Sequence, residues 1–238
     1  MIGIIGAMDV EIEQLLRNME DTKSKNIYGN QFITGILANM TVAVTKSGVG
    51  KVNAALSAHT MIKEYNVTSI IFIGVAGALH PELNIGDMIV STVCQEHDID
   101  ASTLGFPRGT VPFQQISEYP ADSKLVQIAL KSASELKWTE SVTIRTGKVL
   151  SGDQFISDAS LVEFLHQELA GDCVEMEGAA VAHVCYFTNI PYVVIRSMSD
   201  RADQEAPVDF VKFTELAAIR SCELVTSMLH QMHKDRVV

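Results

Sequence analysis

Three short stretches of this chain, Ile2-Gly3-Ile4-Ile5, Ser69 to Ile73 and Pro191 to Ile195, are apolar along nearly their whole length instead of at every second position. A strand with one wet face alternates; a strand that does not is covered on both faces, which predicts a sheet held between helical layers. Helical spacing supplies the layers. Ile12, Leu15, Leu16 and Met19 recur after the first strand; Val52, Ala55, Leu56, His59 and Ile62 follow Gly48 and Gly50; Leu125, Ile128, Ala129 and Leu136 mark a third helix. Leu161 to Leu169 with a Gly171 stop, Glu177 to Phe187, and a long amphipathic Phe210 to His233 complete the set. Gln31 to Ile36 and Thr41 to Thr45 form a predicted hairpin around Asn39, and Met88 to Val93 and Val142 to Leu150 are further strands. Gly74 to Gly77 reads as a turn, Ser102 to Pro120 as a long functional loop, and Ser197 to Pro207 as a polar loop. With no linker and no internal repeat, residues 1–238 are expected to form one α/β domain, a three-layer α/β/α sandwich with a central mixed sheet.

Charge narrows the partners. Eighteen Lys and Arg against 29 Asp and Glu leave a net charge of -11, which repels phosphate backbones and anionic lipid. The basic clusters, Lys23 to Lys25 and Lys234 to Arg236, lack interleaved aromatics and read as solvated charges, so no nucleic-acid partner is expected. Cys94, Cys173, Cys185 and Cys222 form no C-x-x-C pair and are expected to be reduced, buried thiols, which suits the cytoplasm. The apolar N-terminus runs at once into Asp9, Glu11 and Glu13 and does not read as a secretion signal. The longest apolar run, Ile70 to Leu79, falls short of the roughly 18 residues of a membrane span, so no membrane contact is expected.

The familiar ligand motifs are incomplete. Gly48-x-Gly50 with Ala54 imitates part of a dinucleotide fingerprint, but Gly74 and Val75 stand where the acid after the next strand belongs. As a P-loop it fails at Thr45 and Val52. His97, Asp98 and Asp100 are metal-ligand types without an evident fourth ligand, and read instead as a hydrogen-bonded strand end. Neither a metal nor a cofactor is expected. Acids in apolar surroundings are the stronger signal: Glu11 beside Ile2 to Met8, Glu175 and Glu177 around Met176, and Asp200 closing Val193 to Ser199. Each has an ordinary reading, as a first-turn charge, a helix-terminal charge or a loop cap. Together they match glycoside-type cleavage, in which one acid protonates the leaving group and another activates water.

Gly3-Ile4-Ile5-Gly6-Ala7-Met8 with Glu11, Lys46 to Val52, Ser151-Gly152-Asp153-Gln154-Phe155-Ile156, Val174-Glu175-Met176-Glu177 with Ala182 to Cys185, and Arg196-Ser197-Met198-Ser199-Asp200 with Ala202-Asp203 follow in order along the chain. In these blocks it resembles the 5'-methylthioadenosine/S-adenosylhomocysteine nucleosidases. The resemblance implies a nucleoside phosphorylase-like homodimer that hydrolyses 5'-substituted adenosines, including 5'-deoxyadenosine or 6-amino-6-deoxyfutalosine in part of the family. By the same resemblance, Asp200, positioned by Ser199, protonates adenine N7, Glu11 deprotonates the attacking water, and Arg196 helps to place it. Glu177 holds the ribose hydroxyls, Phe155 stacks on the base, the Ile156 backbone reads its edge, and Met176 packs beneath the sugar. Ala76, Gly77 and Glu175 fall on the same substrate site. Met8, Val49 and Phe210 would line the pocket for the 5' group, completed by Leu104, Phe106 and Pro112 from the partner subunit. The chain departs from many members at Val75, where they carry Ser or Thr.

Three rivals fit the sequence less well, the weakest a dinucleotide-binding oxidoreductase with its incomplete fingerprint. A phosphorylase on the same fold would need cations for phosphate, and the turns at Gly6 and Gly74 to Gly77 hold no Lys or Arg. A catalytically silent nucleoside-binding module would need Phe155, Met176 and Glu177 but no general acid.

Overall fold

The computed structural model describes residues 1–138, 142–203 and 205–237, with side chains to residue 235. Gln204 of the predicted polar loop and the Arg236 side chain lie outside the described residues. The chain runs β1 (Ile2–Gly6), α1 (Asp9–Arg17), β2 (Glu20–Ile27), β3 (Asn30–Leu37), β4 (Met40–Lys46), α2 (Lys51–Tyr65), β5 (Ser69–Ala78) and β6 (Met88–Glu96). It continues through β7 (Glu118–Pro120), α3 (Ser123–Glu135), β8 (Ile144–Ser151), α4 (Ala159–Gln167), β9 (Cys173–Glu175), α5 (Gly178–Thr188), β10 (Tyr192–Asp200) and α6 (Ala206–Val237).

The sheet is mixed, in the order β10-β6-β8-β9-β5-β1-β4-β3-β2, with β7 added to β6. Because β10 pairs with β6 on one edge and with β5 on the other, strands β5, β9, β8, β6 and β10 close into a ring, and β1 to β4 extend from it. The non-alternating strands are covered on both faces, as their sequence predicts. Ile5, Ile70 and Phe72 pack with Ala54, Ala58 and Met61 of α2 and Ala179 to Ala182 of α5. Ile2, Ile4, Ile71 and Ile73 face the other way, onto Ile12 and Leu15 of α1, Leu125 of α3 and Leu224 to Leu229 of α6. Each such fully buried aliphatic side chain contributes about 1.5–3 kcal/mol.

Five segments depart from the sequence reading. Gly74 to Gly77 is not a turn: β5 continues to Ala78, its residues paired with β10 and then with β9. Ser197 to Asp200 is not loop but the end of β10, where a bulge between Met198 and Asp200 interrupts the pairing with β5. Strands β2, β7 and β9 were not legible, since β2 is a polar, exposed edge and the other two have three residues each. The hairpin is as expected, with Ala38 and Asn39 both at positive φ between β3 and β4, the backbone that a tight two-residue turn requires.

Candidate active site

A cavity of about 310 Å³ opens where β1, β5, β9 and β10 end, with walls from Ala7 to Phe210. Ligands of open α/β sheets characteristically sit beyond the carboxyl ends of the strands. Four carboxyl side chains lie on its wall, Glu11, Glu175, Glu177 and Asp200, and no Lys or Arg among the described lining residues.

Glu11 is the third residue of α1, and its side chain turns back over the start of that helix. Its Oε2 accepts from the amides of Ala7 at 2.6 Å and Met8 at 2.9 Å, while Oε1 accepts from the Val75 amide at 3.1 Å. Burial pushes its pKa above the ordinary carboxylate value, against the nearby Arg196 charge and these three amides. The result is a well-held anion that is more basic than a free glutamate, the property required of a general base.

Asp200 ends β10 just after the bulge, which brings Ser199 and Asp200 onto the same wall; bulges commonly re-aim side chains beside active sites. Ser199 Oγ donates to Asp200 Oδ2 at 2.9 Å, and the Ala202 amide donates to Oδ1 at 2.8 Å. Burial raises the Asp200 pKa despite those two bonds, helped by Asp203 and Asp209. Glu11 and Asp200 thus share one cavity in different hydrogen-bond environments.

Glu177 stands at the entry to α5, with Oε1 accepting from the Gly50 amide at 2.7 Å. Burial and the neighbouring Glu175 push its pKa up to about 8. Glu175 differs in being fully engaged. Its oxygens accept from Ser151 Oγ, from the Gly178 amide at 3.0 and 2.8 Å, from the Glu177 amide at 3.2 Å, and from Arg196 Nε at 3.1 Å and Nη2 at 2.5 Å. Arg196 also donates to Ile195 O at 3.1 Å and lies 4.1 Å over the Phe72 ring. Arg196, expected to help place the water, is not among the cavity-lining residues and forms a buried ion pair with Glu175. Its charge reaches Glu11 through space.

The remaining expected wall residues converge. Met8, Val49, Val75, Ala76, Gly77, Phe155, Ile156, Met176 and Phe210 all line the cavity, and the rings of Phe155 and Phe210 meet edge to face at 5.6 Å. Leu104, Phe106 and Pro112 do not: they sit on the segment between β6 and β7, with Leu104 69% exposed and Phe106 packed on Phe113. His97, Asp98 and Asp100 are also elsewhere, at the end of β6, where Asp98 bonds Lys51 and Asp100 accepts from the Ser102 amide. Ala7, Gln154 and Val174 on the wall, and the Gly50 amide behind it, were missed by sequence reasoning. Ala7, Gln154 and Val174 all lie within the motif blocks of the sequence, whereas backbone donors leave no side-chain signal.

A family model described as the phosphorylase superfamily matches residues 1–230. The 5'-methylthioadenosine/S-adenosylhomocysteine nucleosidase of Halalkalibacterium halodurans is 39% identical over 232 residues, covering 97% of this chain and 98% of that protein. The chain belongs to the 5'-methylthioadenosine/S-adenosylhomocysteine nucleosidase family. The Bacillus subtilis nucleosidase is 37% identical over 98% of this chain and 99% of its own length. Among solved structures, the Neisseria meningitidis nucleosidase bound to methylthio-immucillin-A superposes with a TM-score of 0.91 at 32% identity, covering 97% and 98% of the two chains. A futalosine hydrolase of Helicobacter pylori superposes with the same TM-score of 0.91 at 35% identity, covering 97% of each chain. The nucleosidase family therefore extends over nearly the whole chain, and the nucleoside phosphorylase-like fold expected from the sequence is the one observed.

Proposed function

We propose that this cavity hydrolyses the N-glycosidic bond of 5'-substituted adenosines, 5'-methylthioadenosine and S-adenosylhomocysteine foremost, and releases adenine. The observation that carries the reading is the presence of Glu11 and Asp200 on the walls of one cavity, each held by its own donors. Asp200 donates a proton to N7 as the bond from C1' to N9 breaks and its electron pair moves into the purine. Glu11 takes a proton from water as the water oxygen bonds to C1'. General acid or base catalysis of this kind contributes about 10² to 10⁴ in rate. Raising an aspartic acid three units, enough to keep it protonated near neutrality, costs about 4 kcal/mol. Burial of the Asp200 carboxyl supports that role.

Glu177 holds the ribose hydroxyls, Met176 packs beneath the sugar, Phe155 stacks on adenine, and Ile156 presents its backbone to the purine edge. Met8, Val49 and Phe210 receive the 5' group. Val75 presents an isopropyl group to the sugar side, where a hydroxyl would offer water a second partner. The absence of Lys and Arg from the described wall favours water over phosphate as nucleophile, since four carboxyl groups disfavour a phosphate dianion. Walls drawn from residues 7 to 210 support one domain acting as a unit.

A homodimer completes the site in this reading, with Leu104, Phe106 and Pro112 reaching the other subunit's cavity. The exposure of the apolar side chains Leu104 and Phe113 on the segment between β6 and β7 supports a face that a partner covers. Four free, buried cysteines support a reducing compartment such as the cytoplasm. No helix among the described residues is long and apolar enough to cross a membrane.

The test is adenine release in phosphate-free buffer from 5'-methylthioadenosine, S-adenosylhomocysteine, 5'-deoxyadenosine and 6-amino-6-deoxyfutalosine. Turnover of at least one without phosphate is expected. Turnover only on adding phosphate would reject hydrolysis, and adenine binding with no turnover of any of the four would favour a binding module.

A further inference from the structure

Behind the cavity, three segments distant in sequence are joined by a closed ring of contacts. Lys51, the first residue of α2, extends its Nζ to Asp98 Oδ1 at 2.5 Å just past the end of β6. The other oxygen of Asp98 accepts from the Asp153 amide at 2.9 Å. Asp153 returns the contact, its Oδ1 accepting from the Lys51 amide at 2.8 Å. Both oxygens of Asp98 are paired within the ring, and the Lys51 and Asp98 side chains are only 18% and 17% exposed. A fully solvated ion pair contributes little, but a mostly covered one whose carboxylate also accepts from a backbone amide is charge-assisted at both oxygens. The Lys51 bond and the Asp153 amide outweigh burial and hold the Asp98 carboxyl below its ordinary value.

Both sides of the ring continue into the cavity wall. Immediately before Lys51 stand Val49, on the wall, and Gly50, whose amide holds Glu177. Immediately after Asp153 come Gln154, Phe155 and Ile156, also on the wall. The segment from 152 to 156 has no regular structure of its own, and Gly152 packs so tightly on the buried His97 ring that a side chain there would collide with it. Ordering a flexible residue costs about 1–2 kcal/mol. A binding loop fixed in advance avoids that cost when ligand arrives.

We propose that Lys51 and Asp98 are positioning residues for the base: they lock the segment carrying Phe155 and Ile156 to the start of α2, which itself holds Glu177, and so set the spacing between the base and ribose contacts before the nucleoside enters. This rests on the reading of the cavity as an adenosine site. Neither side chain lines the cavity, so the effect passes through Asp153 and Gly50.

The experiment measures adenine affinity by titration calorimetry, and kcat and KM for 5'-methylthioadenosine, in the wild type, Asp98→Ala, Lys51→Met and Lys51→Arg. Asp98→Ala and Lys51→Met are expected to raise both the adenine Kd and KM by about tenfold, the scale of one lost charge-assisted bond, with a much smaller change in kcat. Lys51→Arg, which keeps the cation, is expected to restore most of the affinity. Calorimetric stoichiometry reports the folded fraction, so a partly unfolded variant still yields its Kd. Unchanged Kd and KM in both disrupting variants, or a loss confined to kcat, or no rescue by Lys51→Arg, would overturn the proposal. Failure of the underlying reading is separately visible, because the wild type would then neither bind adenine nor release it.

Discussion

A β-carbon on Gly74 would stand 2.6 Å from Oε1 of Glu11. Gly77 bears the same relation to Asp200, with Oδ1 at 2.7 Å from the place a β-carbon would take. Both glycines are paired residues of β5 with all neighbours buried. They are required by the carboxylates beside them, not by a turn.

Gly74→Ala should therefore displace the Glu11 carboxylate from its three amides without unfolding the sheet. A misplacement of about 1 Å at a reacting group costs on the order of 10²-fold in rate. Steady-state kinetics should show that loss in kcat while adenine Kd changes little, and an unchanged kcat would contradict the role given to Glu11.

Asp200→Asn keeps the shape of the acid and removes the proton donation to N7 proposed for it. Adenine binding should survive, while kcat falls by about 10² to 10⁴. Calorimetry alongside single-turnover kinetics separates the two, and near-normal turnover would rule out Asp200 as the acid.

Glu177 links stability to pH. Its carboxyl titrates near 8 in the folded protein against 4.5 ordinarily, so the folded state binds this proton more tightly than the unfolded chain does. The contribution is full below about 4.5 and is lost as pH rises towards 8. The Tm of the unliganded protein should carry a downward component across that window, and Glu177→Gln should flatten it. An equal slope in both proteins would show that the group does not titrate there.

Arg196 and Glu175 are both almost fully buried and paired at 2.5 Å. Arg196→Met leaves a buried carboxylate without its cation, a change that typically costs about 3–5 kcal/mol. Denaturant unfolding should register it, and the acid limb of the kcat/KM profile should move to higher pH, because Arg196 no longer opposes the rise in the Glu11 pKa. An acid limb that stays in place would break the electrostatic link between the two.

The segment between β6 and β7 tests the proposed dimer. Leu104→Asp places a charge on a side chain that is 69% exposed in the single chain, so the isolated fold should be unaffected. Sedimentation should show weakened self-association and kinetics a raised KM. A monomeric wild type would remove the partner loop from the site.

Much of this protein is legible in its amino-acid sequence. Ile2 to Ile5, Ser69 to Ile73 and Pro191 to Ile195 announced strands covered on both faces, because burial of consecutive apolar residues leaves no other arrangement for an extended chain. Glu11, Glu177 and Asp200 stood out because a carboxylate in apolar sequence must find donors or a pKa shift. Tertiary structure decided what local pattern does not carry. That Gly74 to Gly77 extends a strand, that Arg196 is held by Glu175 and not on the cavity wall, and that the amides of Val75 and Gly50 grip Glu11 and Glu177 all depend on residues far apart in sequence. Backbone donors and the space beside a glycine are contributed by any neighbour the fold supplies, so side-chain identity alone does not reveal them.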